Sequence, residues 1–168
     1  MAAERFAEQG IRATSMEDIA SAAGVTVRTL YSHFDGKDAL TAEYLTAMPV
    51  TATAEDDGPV ARMLAIFDTT STGPRYPGCP FLRAAAEFPD RDSPVHRLVR
   101  TRKLEFADRL RGLAEEAGCA DPEGLGATLA LLYDGAAARS AAISSRDPFR
   151  QARSIAEDMV GAALAARD

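Results

Sequence analysis

The sequence predicts an all-α chain in two parts. Alanine, the best helix former, supplies 34 of the 168 residues, against 12 Val plus Ile. Apolar residues recur at spacings of three and four, and no run alternates with the period of two that a half-buried strand needs. Helix start and stop signals punctuate the chain: Ser or Asp before Pro, and Gly after an apolar stripe.

Residues 2–9 read as the last turns of a helix, with Phe6 as its large apolar residue and Gly10 as its stop. Thr14 and Glu17 have capping-box spacing ahead of a short helix with Met16, Ile19, Ala20 and Ala23 inward, ending at Gly24. A second short helix is expected from about Thr26 to Phe34, with Val27, Leu30 and Phe34 inward. Asp35-Gly36 is a turn, and Lys37 to Met48 a further helix that turns Leu40, Tyr44 and Leu45 inward before Pro49 stops it. These elements make a head of residues 1–48. A linker is expected at 49–57, and a five-helix body at 58–168.

The body opens with the stripe Val60, Met63, Leu64 and Phe67, followed after a loop by a short helix from about Phe81 to Phe88. Ser93-Pro94 starts a long helix to about Ala117, with an N-cap and a proline at the first helical position. Asp121-Pro122 and Asp147-Pro148 repeat that signal. The first precedes a helix from Leu125 to about Ile143, and the second a stripe of Ala152, Ile155, Ala156, Met159, Val160, Ala163 and Leu164.

Composition narrows the function. No apolar run approaches the ~20 residues that cross a bilayer, and no signal peptide opens the chain, so no membrane association is expected. Cys79 and Cys119 form neither a disulfide framework nor a metal spacing, and a reducing cytoplasm is the expected compartment. With only His33 and His96, no His-rich metal site is available. Cys79 with His96 lacks a third orienting group and an oxyanion turn, so no enzyme, metal or cofactor is expected. A net charge of -6 argues against non-specific coating of nucleic acid but leaves room for a local reading face.

Ala22-Ala23-Gly24-Val25 joins the two short helices as a helix-turn-helix requires, the glycine allowing a sharp reversal. The second helix then divides by face. Thr26, Arg28, Thr29, Ser32 and His33 point outward, and they are donors and acceptors of the kinds that read base edges, Arg28 being able to grip guanine through two parallel hydrogen bonds. Tyr31, Thr14, Ser15 and Lys37 suit phosphate oxygens. The same periodicity also fits two ordinary surface helices with a polar outer face.

The letters from Thr14 to Phe34 (TSMEDIASAAGVTVRTLYSHF), followed by Asp35-Gly36-Lys37-Asp38-Ala39-Leu40 and preceded by Phe6-Ala7-Glu8-Gln9-Gly10, resemble the DNA-binding head of the tetracycline-repressor (TetR) family. The resemblance covers about residues 2–45, and its most specific part is Leu30-Tyr31-x-His33-Phe34 with Lys37. Cys79-Pro80-Phe81-Leu82-Arg83-Ala84-Ala85-Ala86-Glu87 also looks like a segment of some members. Beyond residue 50, only helix number and length agree.

The resemblance implies a homodimeric repressor that binds a double-stranded DNA operator and responds to a small-molecule effector. By position it makes Val27, Arg28 and Thr29 the main base-facing residues. Tyr31, His33 and Lys37 would contact the backbone, with Ser15 and Met16 at the head of the preceding helix. Members normally carry more residues before this point, which places Met1 inside the first helix and favours weaker DNA affinity or a shortened start.

The last two helices are rich in Ala and Gly, which permit close backbone approach, and the resemblance assigns them to dimerisation. A ligand pocket is expected among the other body helices, with Met63, Phe67, Phe81, Phe88, Phe106, Leu110 and Tyr133 as lining candidates. Arg102 interrupts the apolar stripe of the long helix. If buried, it needs Glu87, Asp134 or an anionic ligand as partner; the alternative is an exposed Arg102. Residues 1–47 hold four basic residues against seven acids. This acidic head leaves a rival reading, a dimeric protein–protein interaction module that has lost DNA binding.

Overall fold

The structure, a computed structural model, describes residues 2–48, 57–68 and 78–166. Among them the chain forms α1 (Ala2–Gln9), α2 (Met16–Ala23), α3 (Val27–His33), α4 (Lys37–Thr46), α5 (Pro59–Ala65), α6 (Pro80–Glu87), α7 (Pro94–Glu116), α8 (Pro122–Ile143) and α9 (Asp147–Ala165), with no strand. The all-α expectation therefore holds for the described residues. No helix among them is long and apolar enough to cross a membrane. The expected linker at 49–57 falls outside the described residues except for Asp57.

The chain divides into two compact units, but not at one point in the sequence. The first holds α1 to α4, α6 and the opening turns of α7 through Thr101; the second holds α5, the rest of α7 from Arg102, α8 and α9. This grouping by packing differs from the sequential division into residues 1–48 and 58–168. The reason is burial. Helices of seven to ten residues cannot close a core by themselves. Ala84, Phe88, Val95 and Val99 join Phe6, Ile11, Met16, Ile19, Leu30, Leu40 and Leu45 in one apolar cluster.

In the second unit α8 and α9 pack along each other, and α5 packs on α9. Met63, Phe67, Phe106, Leu110, Leu129, Phe149, Ala156 and Val160 are buried there. Tyr133 is ringed by Phe106, Phe149 and Phe67 at centroid distances of 5.1, 5.7 and 6.3 Å. Gly126 is required for close packing: a Cβ at that position would lie 2.6 Å from the Arg111 amide nitrogen. Arg153 fixes the end of α5 by donating to the Asp68 carboxylate (2.6 Å) and the Leu64 carbonyl (3.3 Å).

Helix starts differ from the sequence expectation in two places. The capping box on α2 is Ser15 with Asp18, not Thr14 with Glu17. Asp121 caps α8 by accepting the Gly124 amide (2.9 Å), but Asp147 is already the first residue of α9, behind Arg146.

Candidate nucleic-acid interface

The turn between α2 and α3 follows from a few residues. The Ser15 hydroxyl accepts the Asp18 amide (3.0 Å) and donates to the Asp18 carboxylate (2.6 Å), which also accepts the Ser15 amide (3.0 Å). Those Ser15 bonds, the side-chain one first, with help from the Arg5 charge, hold the Asp18 carboxyl below the usual carboxylate range. Gly24 closes α2 in the left-handed region at φ 66°, and the Val25 amide reaches back to the Ala20 carbonyl at 3.0 Å. Thr26 then caps α3, its hydroxyl accepting the Thr29 amide at 3.1 Å.

Leu30 anchors α3 in the core, with Val27 and Phe34 packed half-buried against the same cluster. Thr26, Arg28, Thr29, Tyr31, Ser32 and His33 are exposed, so one face of the helix presents most of the residues expected to meet DNA. Val27, which the resemblance makes base-facing, is half-buried and packs one side against the core cluster, as the periodicity expects.

Three other expected contacts are drawn into the fold. Thr14 is fully buried, and its hydroxyl donates to the Gly10 carbonyl at 2.7 Å. Met16 is 5% exposed and belongs to the core. Lys37 is half-buried, with its ammonium donating to the carbonyls of Arg12 (2.8 Å) and Thr14 (3.3 Å). Each satisfies or covers backbone that the α1–α2 turn would otherwise leave exposed or unbonded.

Of the other cations in residues 1–47, Arg5 and Arg12 are engaged as well. Arg5 lies 3.9 Å from Glu8, and the Arg12 guanidinium stands 5.9 Å from the centre of the Phe88 ring. Arg28 makes no hydrogen bond or ion pair with the described residues.

Two supports on α6 have roles the sequence reading does not give them, Glu87 being expected there only as a partner for Arg102. The Glu87 carboxylate accepts the amides of Ile11 (3.0 Å) and Arg12 (2.5 Å). One turn earlier, Arg83 donates to the last carbonyls of α1, at Phe6 and Ala7, both at 2.6 Å. An acid and a base four residues apart on a short, otherwise apolar helix were the available signal.

The eight pocket candidates do not form one group. Met63, Phe67, Phe106, Leu110, half-buried Tyr133 and Arg102 belong to the second unit. Phe81 and Phe88 pack with the core of the first, because α6 supplies the apolar surface its short helices lack. Arg102 is half-buried and pairs with Glu105 at 3.3 Å, neither with Glu87 nor with Asp134. Asp134 is taken by Lys103, whose ammonium also lies 3.7 Å from the Cys79 sulfur. A different concavity opens between α8 and α9: a groove of about 530 Å³ walled by Leu131, Leu132, Gly135, Ala136, Ile155 and Met159. Leu131 in that groove is 73% exposed and Ile155 48%. No group of His, Cys, Asp and Glu among the described residues could hold a metal ion.

Comparison with known proteins gives two family matches. Residues 1–44 match bacterial regulatory proteins of the tetR family, and residues 59–156 match the tetracyclin repressor-like C-terminal domain. Among curated proteins, the HTH-type transcriptional repressor KstR2 of Rhodococcus jostii is 51% identical over 45 residues, which are 27% of this chain and 22% of that protein. KstR2 of Mycobacterium tuberculosis is 47% identical over the same length and shares. The curated relatives are thus matched over about a fifth of their length. A crystal structure of a TetR-family transcriptional regulator from Streptomyces coelicolor superposes with a TM-score of 0.81 at 29% identity, covering 97% of this chain and 92% of the other. A transcriptional regulator from Rhodococcus sp. shares the fold at a TM-score of 0.73 and 21% identity, over 98% and 94% of the two chains.

Proposed function

Because this chain belongs to the TetR family of bacterial regulatory proteins, we propose that it is a ligand-responsive transcriptional repressor, released from a near-palindromic DNA operator by a small molecule. The observation that carries this reading is α3 itself. Leu30 holds it to the core while Arg28, Thr29, Tyr31, Ser32 and His33 stay exposed and Arg28 has no charge partner among the described residues. A major groove accepts a helix of this kind, and bidentate guanidinium contacts supply base discrimination.

Homodimerisation is the second part of the proposal. The α8–α9 groove exposes Leu131 and Ile155 beside Gly135 and Ala136, a lining of small and apolar residues that a second copy of the same helix pair would cover. Two-fold pairing through it would present two copies of α3 about 34–36 Å apart, one turn of DNA, and would select a palindrome. The Leu131→Arg, Ile155→Arg double variant is expected to sediment as a monomer and to lose operator binding while keeping its helical signal. A variant that remains dimeric would remove α8 and α9 from the interface.

The effector is proposed to bind in the second unit, against the aromatic group of Phe67, Phe106 and Tyr133 with Met63 and Leu110. It relieves repression only if it binds the DNA-competent and DNA-incompetent states unequally. Selection of sequences from a randomised palindromic library, with and without candidate small molecules, tests the whole reading. The expected result is one enriched palindrome, lost on effector addition; no enrichment by the wild-type protein would refute it.

A further inference from the structure

The polar side chains on α3 are not equally available. The Thr26 hydroxyl oxygen accepts the Thr29 amide at 3.1 Å and lies 2.9 Å from the Thr29 hydroxyl oxygen, so the two hydroxyls are hydrogen-bonded to each other. The Ser32 hydroxyl donates to the Thr29 carbonyl at 2.7 Å, which commits its only proton to the helix backbone. Thr29 is nevertheless exposed. Its oxygen is turned back toward the N-cap, and at a tetrahedral Cβ the γ-methyl is then the group directed away from Thr26.

We infer that Thr29 is a specificity-determining residue that reads thymine through its γ-methyl, with its hydroxyl retained by Thr26, next to a guanine read by Arg28. The inference rests on the proposed role of α3 in DNA recognition and specifies what that helix recognises. In the major groove the C5-methyl of thymine is the one apolar landmark, and a threonine methyl is among the groups that pack on it. The 2.9 Å bond to Thr26 fixes the direction of the Thr29 hydroxyl at the cap of the recognition helix. Swinging that oxygen onto a base edge would break it, whereas the γ-methyl needs no such rotation.

The test uses the full chain and the palindrome it selects from a randomised library, with binding followed by fluorescence anisotropy. Replacing thymidine by deoxyuridine, position by position, removes only the methyl. At one position this should weaken wild-type binding about fourfold for each half-site substituted, the worth of one buried methyl group. Thr29→Val, which keeps the methyl and lacks the hydroxyl, should bind within twofold of wild type and keep that sensitivity. Thr29→Ser should bind the thymine operator about 16-fold more weakly, one methyl contact being lost in each subunit, and no longer distinguish deoxyuridine. A wild-type protein indifferent to every deoxyuridine substitution overturns the inference without any variant. So does a Thr29→Ser protein that keeps the sensitivity while Thr29→Val loses it. Failure of the wild type to enrich any sequence overturns the reading of α3 itself, and this inference with it.

Discussion

In the turn from Gly10 to Ser15 the polar groups are consumed by the protein. Glu87 takes two amides, Lys37 supplies two carbonyls, Thr14 bonds back to Gly10, and Ser15 is held by Asp18. On α3, residues of similar kinds remain directed to solvent: the Arg28 charge is unpaired among the described residues, and Tyr31 and His33 are exposed. Residue type alone does not separate the two regions, since Thr, Ser and a cation occur in both. What separates them is backbone demand. An irregular turn leaves amides and carbonyls that need partners, whereas α3 needs only the short hydroxyls of Thr26 and Ser32 for its backbone and leaves Arg28, Tyr31 and His33 for a ligand.

The largest effect that could break this contrast is on operator affinity. Arg28→Ala is expected to cost about 1–3 kcal/mol in operator binding for each half-site, roughly 5- to 160-fold, and to relax preference at one base pair of the half-site. Its melting temperature should stay near that of wild type, as for surface substitutions generally. If it lowers stability instead, α3 is not the uncommitted face. Glu87→Ala should do the reverse in the first instance, destabilising the fold by about 1–3 kcal/mol because two amides lose their acceptor. Glu87→Gln, with one neutral acceptor oxygen remaining, should fall between Glu87→Ala and wild type in thermal unfolding. A smaller effect is on salt dependence. With Arg28 and Lys37 as the cations expected to meet phosphate in each of two subunits, the slope of log K against log salt should be no steeper than about -4, at roughly -0.9 per phosphate neutralised. A slope near -10 would mean that further cations join Arg28 and Lys37 at the phosphates.

Local periodicity made most of the fold legible. The stripe on α9, the Ser93-Pro94 start of α7 and the Gly24 stop of α2 each lie within a few residues of their partners. The capping box was read one residue early because Thr14–Glu17 and Ser15–Asp18 have the same spacing, and only the burial of Thr14 distinguishes them. The recruitment of α6 into the first unit was not legible, since Glu87 and Arg83 bond to backbone atoms 75 to 77 residues away. Likewise, Arg102 and Lys103 are adjacent, and helical period alone did not choose which of them faces Asp134. The face of α3 was legible from Val27, Leu30 and Phe34. Which of its hydroxyls remained available was not, because that depends on rotamers.

The smallest expected effect concerns the boundary between the two regions, where the Ser15–Asp18 box fixes the start of α2. Ser15→Ala should cost about 1 kcal/mol at neutral pH, the usual worth of an N-cap side chain. The Asp18 carboxyl is held below its ordinary range in the folded protein, by Ser15 above all. Its contribution to stability is therefore full above the ordinary carboxylate value and is lost as pH falls through the lower, folded value. Below about pH 4, the difference in melting temperature between wild type and Ser15→Ala should accordingly narrow, as the carboxylate that accepts the Ser15 amide and hydroxyl is protonated. A difference that stays constant from pH 7 to pH 3 would show that the cap works through the hydroxyl alone. In that case Asp18 would be an exposed acid with no part in placing α2, and the turn would owe its geometry to Glu87 and Lys37.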